Sequence, residues 1–473
     1  MKRTLCFLLA LVMLFSFAAC KSSSSENGNS NGASTKVSQP ISIPYSREDG
    51  INPFLASSLM NDSIMPLLYA GLFKVDANYN ANPDIALSAE CSGSQVVVTL
   101  NTTRKFSNGI TVTATDVVYS FNKAKSSTYY ASSLQCITSA TAQGSNTVVF
   151  TTSGANVYAA SMLTFPIVKN GTAESQTDIP IGAGPYVYAP ATDGGVLTEN
   201  TYYNRAVTMQ QVSLVNIMDT TTLHYNFVVG NIGAVFDDMS TGESQRLSSG
   251  SAMVDLNNLV YIGINCNAGV FTSAALRVAL ASALDKSELL NSGFEGYGMT
   301  TDLPFNPNWY VAKDVKTTEV DTAEAKTYLK NNVGKQTVDI LVCNANNFKV
   351  KMAETLASQL NSLGINTKIE SVSYAVYQSG VAAGNYDLYI GEYKMTNDMN
   401  ISDLLSGETV IASFASFRAG ETSIDDFLVA FNEYQPFVPV CIRYGVLAYT
   451  KSVTSSVVPA PNNPFANLKE WFI

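Results

Sequence analysis

From residue 41 to its end, this chain alternates short β-branched runs with segments whose apolar residues recur at helical spacing. Residues 95–100 (Gln-Val-Val-Val-Thr-Leu) and 146–151 read as strands, and 41–44 as a short apolar strand. Ile64, Leu67, Leu68 and Leu72 share one face of a helix over 61–72. The pattern returns later, with strands over 259–264, 338–342, 365–372 and 386–390. Between them, Leu276, Ala279, Leu280 and Ala283 line a helix over 272–284, and Met352, Leu356, Leu360 and Leu363 one over 350–363. Gly364 ends the latter as a C′ residue. Strand–helix–strand succession predicts an α/β fold with parallel sheet and flanking helices. The 473 residues less the first 36 leave 437, more than one hydrophobic core organises, so two or more domains are expected.

Helix starts are marked by side chains that satisfy orphan backbone N–H groups. Thr113 with Asp116, and Asp285 with Glu288, have the spacing of capping boxes. Asp116 therefore reads as a cap rather than a catalyst.

The first twenty residues say where the chain works. Lys2 and Arg3 precede an apolar run over residues 5–17, the length of a signal-peptide core and too short to span a bilayer. Ala18, Ala19 and Cys20 follow, similar to a lipobox in which Cys20 is lipidated; the alternative is an ordinary cleaved signal. Residues 1–19 are thus expected to be a signal peptide and 20–40 the lipidated Cys20 with a flexible linker rich in Ser, Asn and Gly. No later stretch is apolar enough to cross a membrane. The expected place is extracytoplasmic, lipid-anchored to the cell membrane.

Charge and residue counts exclude several functions. Net charge is −10, and becomes −12 once Lys2 and Arg3 are removed, which disfavours nucleic acid as a partner. Beyond Cys6 and Cys20, the cysteines are Cys91, Cys136, Cys266, Cys343 and Cys441, widely spaced and without a C-x-x-C motif. His224 is the sole histidine and falls in a helical stretch over 220–229. No Ser/His/Asp, Cys/His or His-rich metal site can be assembled, so no catalytic residue, metal or cofactor is assigned.

Several segments carry a resemblance. Residues 51–54 (Ile-Asn-Pro-Phe), the helix over 61–73 and 82–87 (Asn-Pro-Asp-Ile-Ala-Leu) form an early group. Lys105-Phe-Ser-Asn-Gly109 through residues 113–120 (Thr-Ala-Thr-Asp-Val-Val-Tyr-Ser), Ile181-Gly-Ala-Gly-Pro-Tyr186, and Leu276-Arg-Val-Ala-Leu-Ala-Ser-Ala-Leu-Asp-Lys286 complete the order. Together these resemble family 5 of the extracellular solute-binding proteins, the peptide- and nickel-type binders of ABC transporters. The likeness spans residues 41 to 473. Pro185 and the strand-like run after it exclude a phosphate-binding helix start at Gly182–Gly184, which reads as a structural turn.

The resemblance implies a two-lobed periplasmic-binding-protein-like fold (type II, cluster C-like), with a hinge and an inter-lobe cleft that holds the ligand. The chain would cross between lobes near 260–265 and 441–446. Lobe I would be 41–262 with 447–473, and lobe II 263–446. Tyr45, Ser46 and Glu48 follow the first strand, where the family meets its ligand, and Asn265 and Asn267 lie by the first crossing. Peptide binders of the family hold the ligand amine with an Asp shortly after a Trp, past a Tyr-Asp strand. Counting from Tyr386-Asp387 puts Tyr393 and Thr396 at those positions; counting back from Asp398 puts Glu392 and Met395 there. Neither register restores the pair. Glu392 and Asp398 are left to pair with a cation, Lys394 to meet an anionic group, and Asn397 shares the stretch. Trp309, beside Tyr310 in a Pro/Asn-rich loop, would stack on a solute or simply pack.

The resulting expectation is a monomeric, non-enzymatic receptor that binds a small polar organic solute, oligopeptides included, and delivers it to ABC permease subunits. Two alternatives stay open. A secreted carboxylate-dependent hydrolase requires two acids facing one substrate, a pair the sequence does not place. A sensory lipoprotein would pass the bound state to a membrane partner instead.

Overall fold

The computed structural model describes residues 39–243, 249–315 and 321–473; the expected signal peptide, Cys20 and nearly all of the linker lie outside them. Two halves, each with its own buried apolar side chains, share a pair of long strands. In the first half, Ile41–Tyr45 pairs in parallel with Gln211–Asn216, and Gly194–Glu199 and Tyr186–Ala191 extend that sheet antiparallel. A second, antiparallel sheet runs Ala86–Ser92, Gln95–Leu100, Thr147–Thr152, Ile137–Gln143. The helix Ala114–Lys125 packs on it through Val117 and Phe121 and starts with the capping box of Thr113 and Asp116. Asp116 Oδ2 accepts from the Thr113 amide (2.9 Å) and Asp116 Oδ1 from the Asn170 amide (2.9 Å), which ties the helix start to a distant loop.

The helix Leu59–Leu68 turns Ile64, Met65, Leu67 and Leu68 into this core. Its C-terminal end lies against the segment Ile181–Tyr186, where the Gly184 amide donates to Leu68 O (3.0 Å). A Cβ at Gly182 would stand 2.2 Å from Leu68 O. Glycine is required there because the two backbones touch.

The second half centres on a mixed sheet. Thr337–Cys343 is parallel to both Asn366–Val372 and Leu388–Lys394, as strand–helix–strand succession predicts. Gly250–Ile264 and Phe437–Tyr449 are antiparallel instead, because they carry the chain between halves in opposite directions. Arg277, the charged residue of the 276–286 helix motif, is buried and spends its donors on Phe271 O, Thr272 O, Tyr434 O and Gln435 O. It holds the helix Ala274–Ala283 to the C-terminal end of the helix Ile424–Tyr434.

The two long strands change core along their length. Val254, Leu256 and Leu447 pack with the first half, whereas Leu259, Val260, Val440 and Ile442 pack with the second. Pairing between them shifts register between Asp255 and Asn258, and Asn257 takes a left-handed backbone (φ 52°), a β-bulge at the change of core. The Asn257 side-chain Nδ2 donates to Met395 O and Thr396 O, both 3.1 Å. The bulge thereby fixes the run that follows the strand Leu388–Lys394.

Candidate functional site

Between the halves lies a cavity of about 790 Å³, within the size range of sites that enclose a small organic ligand. The first half contributes Leu59, Asp62 and Pro66 from the face of the 59–68 helix opposite its apolar stripe, and Tyr129 and Tyr130 from a loop. The second half contributes Glu392, Tyr393, Lys394, Thr396 and Asn397. The shared strands add Leu256, Asn258 and Arg443, and the C-terminal segment adds Asn462 and Lys469. Tyr129 keeps 44% of its surface accessible, on a ring that helps wall this cavity.

Charges in the cavity divide into committed and uncommitted groups. Glu392 accepts from Arg443 Nε (2.7 Å), Lys349 Nζ (2.8 Å) and Asn258 Nδ2 (2.5 Å). Burial opposes its ionisation, yet these donors outweigh burial and hold the carboxyl at about 2. Glu392 is thus a fixed, neutralised anion. Tyr393 donates to Asp403 (3.2 Å), and Asn397 reaches Ser161 O (3.2 Å) in the opposite half.

Asp62 and Lys394 are different. Neither is ion-paired among the described residues, and each feels the other's charge across the cavity. Burial pushes the Asp62 carboxyl up to about 7, against a hydrogen bond with Tyr129 and the charge of Lys394. Crowding by the cavity walls, then the neighbouring Arg443, lowers the Lys394 ammonium to about 8, against Asp255, Asp62 and Glu392. Lys394 Nζ donates to Leu256 O (2.5 Å) and to Asn462 Oδ1, which leaves a third N–H.

The remaining residues singled out in the sequence sit elsewhere. Tyr45 is buried beside Tyr188, its hydroxyl 3.4 Å from that of Tyr188. Ser46 is bracketed by the Asn61 side chain, and Glu48 is exposed on the following turn. Asn265 caps a turn: its side-chain Nδ2 donates to Gly384 O and Tyr386 O, and its Oδ1 accepts from the Asn267 and Ala268 backbone amides. Asn267 is exposed on that turn. Trp309 is buried, edge-on to Tyr158, Phe305 and Phe417. Asp398 has no accessible surface; Arg418, Asn156 (2.9 Å) and Thr396 satisfy it, and Arg418 with those donors keeps its carboxyl below the usual range against the effect of burial. His224 lies 3.6 Å from Asp237, outside the cavity lining. The five described cysteines are free thiols.

Asn156 and Tyr158 come from the first half, so the Asp398–Arg418 pair and the Trp309 cluster also join the halves beside the cavity. Tyr79 does the same, its hydroxyl accepting from Asn306 Nδ2 (3.0 Å), whose amide also reaches Asp255 (2.9 Å). Sequence reasoning did not find Asp62, Tyr129, Tyr130, Asn258 or Arg443. A signal existed for one: Arg443 is a lone charge inside an otherwise apolar strand, and such a charge needs a partner.

Comparison with known proteins agrees with this architecture. The oligopeptide-binding protein AppA of Bacillus subtilis (strain 168) is 22% identical over 433 residues, 82% of this chain and 79% of that protein. The crystal structure of the ABC transporter substrate-binding protein CtaP from Listeria monocytogenes superimposes with a TM-score of 0.71 at 18% identity, over 93% of this chain and all of that one. NikZ from Campylobacter jejuni, solved with Ni(L-His), gives 0.63 at 18% identity, over 92% of this chain and 99% of that one. The fold is therefore that of two-lobed solute-binding proteins. The sequence profile of the bacterial extracellular solute-binding proteins, family 5 (middle region), matches residues 80–408. With that match spanning most of its length, the chain belongs to the family 5 bacterial extracellular solute-binding proteins.

Proposed function

We propose that this chain is the lipid-anchored receptor of an ABC importer, capturing an oligopeptide or a related small polar organic solute and delivering it intact to the permease. The observation that carries the reading is the 790 Å³ cavity, walled by both halves and lined by aromatic rings together with charged and amide side chains. Relatives whose names specify an oligopeptide and a nickel–histidine complex support a polar organic solute. Residues 1–19 serve as the signal peptide and Cys20 as the lipidated residue. Lobe I (41–262 with 447–473) and lobe II (263–446) close on the ligand about the two shared strands.

A ligand shifts that hinge only by its differential affinity for the closed form. Moving the population from 1:99 to 99:1 takes about 5.5 kcal/mol, which requires several contacts from both lobes at once. The permease then reads the closed state. Native mass spectrometry of the protein beginning at residue 21, gently purified, tests the proposal. A small organic solute should co-purify at one per chain and leave unaltered on denaturation; a chemically changed product would contradict it.

A further inference from the structure

We infer that a surface away from the cavity, the outer side of the short helix Leu223–Val228 with the turn before it, rests on the lipid bilayer to which Cys20 ties the protein. The inference goes beyond ligand capture and rests on the proposed lipid anchorage. It starts from exposure. Met218, Val228 and Tyr225 keep 81%, 70% and 67% of their surface accessible, the highest values for large hydrophobic side chains among the described residues. All three fall between residues 218 and 228, and the half-exposed Val229 follows them.

The helix is held by its other side. Leu223 and Phe227 pack against Ile232, Val235 and Ala448. Tyr225, Val228 and Val229 stand at i, i+3 and i+4, so they share the side turned away from the protein. Charge is nearly missing here. Between residues 206 and 236 the sequence has no Lys, Arg or Glu, and its one Asp, Asp219, accepts from the Thr221 amide (2.9 Å) and hydroxyl (2.7 Å). His224 is turned toward Asp237, 3.6 Å away. A tyrosine among aliphatic side chains, rimmed by threonine and asparagine, is a composition that settles at the headgroup level of a bilayer.

The place where the chain enters the fold selects lipid as the occupant. The strand Ile41–Tyr45 begins beside the segment that follows the helix: the Gly233 amide donates to Ser42 O (2.6 Å), and a Cβ on Gly233 would stand 2.8 Å from Ile41 Cγ1. The 20 residues from 21 to 40 join that strand to Cys20. A Ser/Asn/Gly-rich stretch of that length reaches about 25 Å, close to the roughly 22 Å radius of gyration of a body this long. A lipid on Cys20 therefore keeps the side around Ile41, helix included, near the bilayer at high local concentration, where a few weak apolar contacts suffice. Lys451 is exposed next to Thr450, whose amide donates to Gly233 O (2.8 Å), and supplies a cation for lipid phosphates.

The test is quenching of tryptophan fluorescence by vesicles whose phospholipids are brominated near the headgroup end of the acyl chains. Trp309 and Trp471 are buried, so a tryptophan placed on the surface reports its own contact with lipid. Tyr225→Trp and Met218→Trp probe the proposed face; Val376→Trp probes an exposed position on the helix Tyr374–Ala383 of the second half. Each is made in two forms. One is the full chain, processed by the cell and reconstituted; the other starts at residue 21 and is held on the same vesicles by an N-terminal polyhistidine tag and a nickel-chelating lipid. Bromination should lower Tyr225→Trp and Met218→Trp emission about twofold, the ring lying at the roughly 5–10 Å depth of interfacial side chains, and leave Val376→Trp unchanged. Adding Val228→Glu and Val229→Glu should abolish the quenching while the tag keeps the chain on the vesicle. Quenching in the tagged form, with the full chain absent from membranes, would sustain the lipid-seeking face and reject lipidation of Cys20. Vesicle-bound protein with neither Tyr225→Trp nor Met218→Trp quenched would overturn the inference and leave the face to a protein partner. Equal quenching of all three probes would overturn it as well.

Discussion

Arg418→Met should destabilise the second half by about 3–5 kcal/mol, the cost of stranding one partner of a buried ion pair. Asp398 has no accessible surface, and among the described residues Arg418 is its only cationic partner, through both its carboxylate and its backbone carbonyl. Without the guanidinium, Thr396 and Asn156 remain as donors, and burial drives the carboxyl above its unfolded value of about 3.9. A folded-state pKa raised in this way makes the penalty full at alkaline pH and lets it fade as pH falls through that raised value. The loss should therefore be larger at pH 8 than at pH 5. The chain's two tryptophans make the assay local: Trp309 packs against Phe417 beside the pair, while Trp471 lies in the first half against Tyr449 and Phe465. In a Trp471→Phe background, urea unfolding followed by fluorescence reports on Trp309 alone. Adding Asp398→Asn to Arg418→Met should recover most of the loss, because no buried charge is then stranded. A loss below about 1 kcal/mol, or one equal at pH 5 and pH 8, would refute the assignment of Asp398 as a buried, ionised anchor.

Three further outcomes are expected. Cys20→Ala should move the protein from the membrane fraction to the soluble extracytoplasmic fraction, and an unchanged distribution on cell fractionation would count against lipidation there. Gly182→Ala should cost about 1–3 kcal/mol in thermal unfolding, because its Cβ meets the Leu68 backbone at 2.2 Å and that atom cannot swing aside. Asp116→Ala removes acceptors for the Thr113 and Asn170 amides and should cost about 1–2 kcal/mol by denaturant titration; a neutral result would show that the helix start is fixed by other contacts.

Local patterns in the sequence anticipated the elements but not their meeting. Ile64, Leu67 and Leu68 form the buried face expected, though the helix ends at Leu68 and leaves Leu72 beyond it, and the Thr113–Asp116 box caps the helix it was expected to cap. The strands Gly250–Ile264 and Phe437–Tyr449 change core at 256–259 and 442–447. That change depends on the bulge at Asn257, and one residue in a left-handed backbone leaves no periodic trace. Of the candidate residues, Glu392, Tyr393, Lys394, Thr396 and Asn397 line the cavity, because they continue a strand that ends at it. Tyr45, Asn265, Trp309 and Asp398 were chosen for residue type near a crossing or loop, and tertiary packing gives their polar atoms or rings to other parts of the protein. Asp62 and Tyr129 stayed hidden because which side of a helix or loop faces the other half depends on how the halves pack.

Small-angle X-ray scattering of one sample, first loaded with its solute and then freed of it by unfolding and refolding, addresses clamping by the two lobes. The account predicts a smaller radius of gyration for the loaded protein, reversed when the solute is removed. An identical radius in both states, with one solute bound per chain, would contradict it.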